Sequence, residues 1–483
     1  MQGCRFDQDV NIMEKTLSKD KLWLFEDAPI WKAVTALTVP TVISQLIMMV
    51  YNLADSLFVG QLGDLNQLAA IALATPIQLS ITALSNLFGV GGGVVISRAL
   101  GARDHDTVRK ASAFTVYSVV VVAAAYGMSL ILFRPFFLRL VGATPAVEGF
   151  VGEYIFWVMA IGGVPSALSM TIAHLIRAEG ASKEASFGLS MGGLLNIILD
   201  PIFIFPFGFD LEIEGAAIAT CISNCIVCIY FLLYLYGVRG KTTLSLSPED
   251  YTLSQKIVVP VILGGFPSAL QLLLASVSNL ALNNIVVGFS ESAIAGVGIC
   301  KKVDALPTYV TLGVTQGVVP LMAYNYGSGN NKRMKEAMKF TLYLTVGMAL
   351  FFILGLELFP HIIARMFIRD AKTIHHASIF IRIHCLALPF MMVTSLFIGF
   401  FQAIKKNRQA AGLSLIRKGI FDIPAMFLLN RMVPLYGPIM CQPIMDFVSA
   451  SCAVFTYCIA ARNIKNQSKD KSLVKLQISR MDH

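Results

Sequence analysis

A helix needs about 20 consecutive apolar residues to cross the hydrocarbon core of a bilayer. This chain holds twelve such stretches, at 33–59, 68–97, 112–133, 150–176, 187–207, 215–237, 257–287, 294–322, 340–360, 378–401, 411–429 and 437–461. Inside lipid every backbone polar group must be paired within the protein, so repeated apolar stretches of this length become helices. The expected fold is all-α and polytopic, with twelve transmembrane helices. Composition excludes the other classes: 56% of the 483 residues are hydrophobic and 14% are charged, against about 25% charged in soluble chains. No soluble fold of this length covers so much apolar surface. A soluble enzyme, a disordered chain and a disulfide scaffold are all excluded. Several stretches exceed the bilayer and must tilt or bend, with Pro40, Pro76, Pro165, Pro267, Pro320 and Pro389 as expected kink sites.

Charge orients the bundle. If the N-terminal tail is cytosolic, 27 Lys and Arg fall in the tails and loops on that side and six on the other. Such a bias is the positive-inside signal, and it places both termini in the cytosol. The outer loop Phe209-Asp210-Leu211-Glu212-Ile213-Glu214 carries neither Lys nor Arg. The net charge of +9 then reports topology, and no nucleic-acid partner is expected. Residues 1–27 are polar and mixed in charge, without the apolar core of a signal peptide.

The two halves repeat. Phe58-Val59-Gly60 returns as Val286-Val287-Gly288, Gly91, Gly101 and Ala111 as Gly317, Gly327 and Ala337, and Gly188-Leu189-Ser190 as Gly412-Leu413-Ser414. Six helices per copy is an even number, so both copies cross in the same sense. They are expected as two six-helix lobes related by a pseudo-two-fold axis along the membrane normal, with a cavity between them. The expected organisation is a cytosolic tail (1–32), an N-lobe with helices 1–6 (33–238), a cytosolic linker (239–256), a C-lobe with helices 7–12 (257–461) and a basic cytosolic tail (462–483).

An ionisable residue inside the bilayer costs on the order of 3 kcal/mol and is a functional candidate by default. Asp55 lies in helix 1, with Asn52 three residues before it on the same face. Asp200 lies in helix 5, with Asn196 four residues before it and Pro201 after it. Carboxylate, amide oxygen and freed carbonyls suit a hard cation such as Na⁺, and the same carboxylate can carry a proton. The second lobe differs: Asp55 aligns with Asn283, and Asp200 falls near Pro424. Lys301 with Asp304 and Lys418 with Asp422 have the spacing of one-helix ion pairs. Met391, within Met391-Met392, is a candidate for an adaptable pocket. His174 and His384 read as packing residues. Cys221, Cys225 and Cys228 share a helical face with no His or carboxylate in register, so they read as small hydrophobes and no metal beyond Na⁺ is expected. No phosphate-binding loop is present: Gly89 to Gly93 lacks the Lys, and the glycines suit close helix packing instead. Transport driven by an ion gradient, without a cofactor, is what remains.

From Lys32 to Arg462 the chain resembles the multidrug and toxic compound extrusion (MATE) exporters, in particular their bacterial MepA-type branch. The resemblance rests on Asp55-Ser56-Leu57-Phe58-Val59-Gly60-Gln61-Leu62-Gly63, Arg177-Ala178-Glu179-Gly180, Asn196-Ile197-Ile198-Leu199-Asp200-Pro201, Gly215-Ala216-Ala217-Ile218-Ala219-Thr220 and Tyr324-Asn325-Tyr326-Gly327. It implies a twelve-helix, two-lobed secondary exporter of the plasma or inner membrane. Such a protein is not an enzyme, and as a monomer it moves bulky, often cationic amphipathic drugs against Na⁺ or H⁺. It also implies a cation site at Asp55, Asn196, Asp200 and Thr220. Asn52, Lys301, Asp304 and Met391 stand as further substrate or coupling candidates. A flippase for lipid-linked precursors, of related architecture, would need a cationic cavity, for which Lys301, Lys302 and Arg382 are the available residues. A non-transporting receptor or channel leaves the repeat and the buried carboxylates unexplained.

Overall fold

The computed structural model describes the backbone of residues 19–481 and the side chains of residues 21–462. The first part of the N-terminal tail and the side chains of the C-terminal tail lie outside the described residues. Every regular element among them is a helix. A short helix, Lys19–Glu26, precedes the bundle. The first six membrane helices are α1 (Ile30–Gly60), α2 (Leu65–Gly101), α3 (His105–Leu132), α4 (Glu148–Ile161 and Gly163–Ala178), α5 (Ser182–Ile204) and α6 (Glu212–Gly237). The second six are α7 (Gln255–Val287), α8 (Glu291–Gly327), α9 (Asn331–Leu358), α10 (Ala371–Cys385 and Leu388–Ala403), α11 (Asn407–Lys418 and Asp422–Met432) and α12 (Gly437–Met481).

Eight of these are continuous helices long and apolar enough to span a bilayer, and α4 and α10 qualify as bent pairs. Two stretches depart from that pattern. The middle of α8 carries Lys301, Lys302 and Asp304. The stretch at 411–429 is not one helix: α11 opens between Lys418 and Asp422, around Gly419 at φ −135° and ψ −114°. A break at depth is tolerated where protein surrounds it. The kinks are also more selective than the prolines. Pro40, Pro76, Pro267 and Pro320 stay inside unbroken helices. Bends of 48° and 45° occur where the second segments of α4 and α10 begin. Pro165 and Pro389 stand in the first turns of those segments, where a missing N–H costs nothing.

Helices α1–α6 pack among themselves, as do α7–α12, and the two sets meet along α1 against α8 and α2 against α7. Glycine makes that seam possible. A Cβ on Gly91 would sit 2.0 Å from the Val261 carbonyl oxygen, and one on Gly265 would sit 1.8 Å from that of Leu87. The seam is tight at the end that carries the start of α1 and the C-termini of α2 and α8. There Arg98 donates to the carbonyls of Gln402 (3.0 Å) and Ala403 (3.5 Å) across the lobes. Gln402 in turn donates to the Gly264 carbonyl at 2.8 Å. Gln316 of α8 takes part in contacts with Gln45 (3.1 Å) and Arg177 (3.4 Å). Farther along, Asn52 donates to the Tyr309 hydroxyl at 3.2 Å. No side-chain hydrogen bond among the described residues crosses the seam beyond that point.

The connection between α6 and α7 is bound to the first lobe. Glu179 accepts from Thr242 Oγ1 (2.6 Å) and from the N–H and Oγ1 of Thr243 (2.9 and 2.5 Å). Tyr117 donates to the Leu246 carbonyl at 2.7 Å.

Candidate ion site of the first lobe

Helix α5 packs against both α1 and α6. Gly193 lets α1 approach: a Cβ there would lie 3.1 Å from Ile47 and 3.6 Å from Tyr51. The start of α6 is held by Gln67, which donates to Glu212 at 2.5 Å and accepts from the Ile213 N–H at 3.2 Å. These contacts bury Asp55, Asn196, Asp200 and Thr220 among α1, α5 and α6. Asn196 is 2% exposed, Asp200 0%, Thr220 3% and Asp55 7%.

Asn196 is the bridge. In the amide orientation that satisfies all three groups, its Nδ2 donates to Asp200 Oδ2 at 2.9 Å and its Oδ1 accepts from Thr220 Oγ1 at 3.0 Å. Spacing of i and i+4 on α5 puts amide and carboxylate on one face. Only the packing of α6 on α5 brings the threonine hydroxyl to them. Asp55 stands apart from this network, on α1, which packs against α5. Its Oδ1 is buried without a hydrogen-bond partner. Such an orphan acceptor is uncommon, because burying a carboxylate uncompensated is costly. Carboxylate, amide and hydroxyl oxygens, with a second buried carboxylate on the neighbouring helix, are the donor types that suit a small hard cation or a proton.

One neighbour of this cluster escaped the sequence reading. Tyr51 lies against Gly193 of α5. It is four residues before Asp55, so helical spacing already put it on the same face.

The other candidates are elsewhere. Asn52 is exposed and turned to the Met48 carbonyl (2.7 Å) and to Tyr309 of the second lobe, so it does not accompany Asp55. The expected one-helix ion pairs of the second lobe do not form. Lys301 donates to Asn283 on α7 at 2.7 Å. Asp304 instead faces His384 across α8 and α10, with Nε2 to Oδ1 at 3.2 Å. His384 thus stands beside a carboxylate, where its isolation in the sequence implied packing alone. The two border a small cavity with Cys300, Leu356, Ile381 and Leu388. Thr308, one turn beyond Asp304, donates weakly to the buried Met391 sulfur at 3.8 Å. Lys418 and Asp422 are separated by the opening in α11: Lys418 donates to Gln442, and Asp422 accepts from Ser278. A further pair, Arg417 Nε to Asp446 Oδ1 at 2.7 Å, is almost fully buried.

A two-lobed, twelve-helix bundle of this kind, with a polar cluster inside one lobe, is the architecture of a membrane transporter. The family model described as MatE matches residues 40–202 and 267–428, one match in each half. The chain belongs to the MatE family, whose members are transporters and not enzymes. It is similar to the multidrug export protein MepA of Staphylococcus saprophyticus, with 31% identity over 443 residues, 91% of this chain and 96% of that one. The MepA of Staphylococcus haemolyticus is 30% identical over 442 residues, with the same shares. Among solved structures it is similar to an outward-facing multidrug resistance MATE transporter of the MOP superfamily. That one is 23% identical with a TM-score of 0.85, covering 93% of this chain and 99% of the other. A Pyrococcus furiosus transporter of the same superfamily, described as having a binding pocket of reverse polarity, gives 22% and 0.84 over 93% and 98%.

Proposed function

We propose that this protein is a secondary active multidrug exporter of the plasma membrane. It moves amphipathic, cationic drugs outward by alternating access against Na⁺ or H⁺. The observation that carries the reading is the pair of buried carboxylates, Asp55 and Asp200, on two helices packed against each other inside a single lobe, with Asp200 bonded to Asn196 beside Thr220. Two like charges in a poorly solvated place are costly together. A Na⁺ or a proton relieves that repulsion and draws α1 and α5 together, and release of the ion restores it. A cationic drug meets the same negative field, so ion and drug exclude one another, and exchange follows without ATP. The names of the staphylococcal relatives support drugs as the cargo.

In this reading the lobes run 33–238 and 257–461. The tails (1–32 and 462–483) and the linker (239–256) lie in the cytosol, as the distribution of Lys and Arg supports. The protein works as a monomer. The seam closed by Arg98 and Gln402 is then the cytosolic side, which makes the described conformation outward-facing. Asp304 with His384 is the second-lobe group best suited to sense ion or drug, since it joins α8 to the bend in α10.

Ethidium efflux from proteoliposomes, with Na⁺ and pH gradients imposed separately, tests the proposal. One of the two gradients drives efflux. A protein that moves no cationic dye under either gradient is not the exporter described. The competing flippase reading draws on Lys301 and Lys302, and movement of a labelled lipid-linked pyrophosphate in the same vesicles would favour it.

A further inference from the structure

The short helix before the bundle does more than lead into α1. Its backbone and side chains are held at the seam by both lobes. On the second-lobe side, Arg333 at the start of α9 donates to the carbonyls of Phe25 (Nε, 2.7 Å) and Leu24 (Nη2, 3.0 Å). Asn325 donates to the Phe25 carbonyl at 3.2 Å, and the Tyr324 hydroxyl donates to Glu26 at 2.6 Å. The Phe25 ring stacks on Tyr324 with centroids 4.8 Å apart and planes 9° from parallel. On the first-lobe side the same ring fills the space above Gly180, in the turn between α4 and α5. A Cβ on Gly180 would lie 2.9 Å from it, and φ of +85° demands glycine there in any case. Phe25 is 0% exposed. The strap is tied to α1 as well, with Lys32 Nζ 4.9 Å from the centre of the Trp23 ring.

Directly beneath, the lobes touch through backbone. A Cβ on Gly101 would sit 2.0 Å from the Tyr324 carbonyl oxygen, and one on Gly327 would sit 2.1 Å from that of Arg98. Phe25, lodged between Gly180 and Tyr324, bridges the two lobes over this contact. We propose that Lys19–Glu26 is an intramolecular strap that locks this side of the transporter shut and must unseat before it opens. The proposal rests on the alternating-access reading and adds a regulatory element to it. The strap's contacts with α8 and α9 raise the free energy of the open state, because opening leaves Arg333 and Glu26 without these partners. Hydrogen bonds to charged groups are the stronger class, so loss of the Arg333 contacts should shift the equilibrium roughly tenfold.

The test uses full-length protein with the nine native cysteines replaced and spin labels at Ala102→Cys and Ser328→Cys, which flank the contact. Distances are measured in lipid, with and without ion gradients and ethidium. The unmodified strap should give mainly short distances. Arg333→Gln and Phe25→Ala should enlarge the long-distance population roughly tenfold. Tyr324→Phe keeps the ring stack and removes only the hydroxyl donated to Glu26, so it should give a smaller shift of the same sign without endangering the fold. If gradients open the parent but none of the three variants alters the populations, the strap is wrong and alternating access stands. If neither parent nor variants ever open, both fall. A long-distance population confined to the variants would show the strap as a lock in its strongest form.

Discussion

Asn196 and Thr220 stand 24 residues apart in the chain and meet at 3.0 Å, joining α5 to α6 beside the carboxylate of Asp200. The threonine hydroxyl anchors the amide, and the amide steadies the carboxylate. Thr220→Val keeps the shape and removes the hydroxyl. A net hydrogen bond contributes about 1 kcal/mol, so the half-saturating concentration of the driving ion should rise about fivefold with normal membrane insertion. Ion-dependent efflux rates across a concentration series measure it. An unchanged half-saturation would remove Thr220 from the site.

Asp200→Asn preserves size and hydrogen bonding on one side and removes the charge. Ion-driven efflux should be lost while expression and monodispersity are retained, since one buried charge fewer eases folding. Efflux at the parental rate under a gradient would exclude Asp200 as the coupling carboxylate.

In the proposed mechanism Asp55 and Asp200 act on one ion, which makes ion and drug antagonists with reciprocal coupling. A fluorescent cationic substrate titrated at rising Na⁺, then at falling pH, should bind more weakly along one of the two series. Asp55→Asn should abolish that shift. An identical shift in Asp55→Asn would separate the drug site from the ion site.

Arg417 and Asp446 give a prediction about stability alone. Removing one partner of a buried pair leaves an uncompensated charge, which costs about 3–5 kcal/mol. Arg417→Met should therefore lower the thermal midpoint in detergent sharply. Arg417→Met combined with Asp446→Leu should recover most of the loss, because no charge is then stranded. A double variant no more stable than Arg417→Met would point to a role beyond mutual neutralisation.

Much of this was legible in the chain itself. Length and apolarity of the stretches dictate helices, because lipid offers the backbone no partner, and the Gly91/Gly317 and Gly101/Gly327 recurrences already mark a duplicated unit packed through small residues. Asn196 and Asp200 could be paired from sequence because helical spacing is local. What only tertiary structure decided is everything set by the packing of one helix on another. Thr220 meets Asn196 from α6, His384 and not Lys301 faces Asp304, and Arg417 finds Asp446. Lys418 and Asp422 part because α11 opens at Gly419, which i, i+4 spacing cannot foresee. The same limit hid Phe25: the apolar run Leu22-Trp23-Leu24-Phe25 is too short to show a periodicity, and the burial of Phe25 exists only once Gly180 and Tyr324 are brought together from opposite lobes.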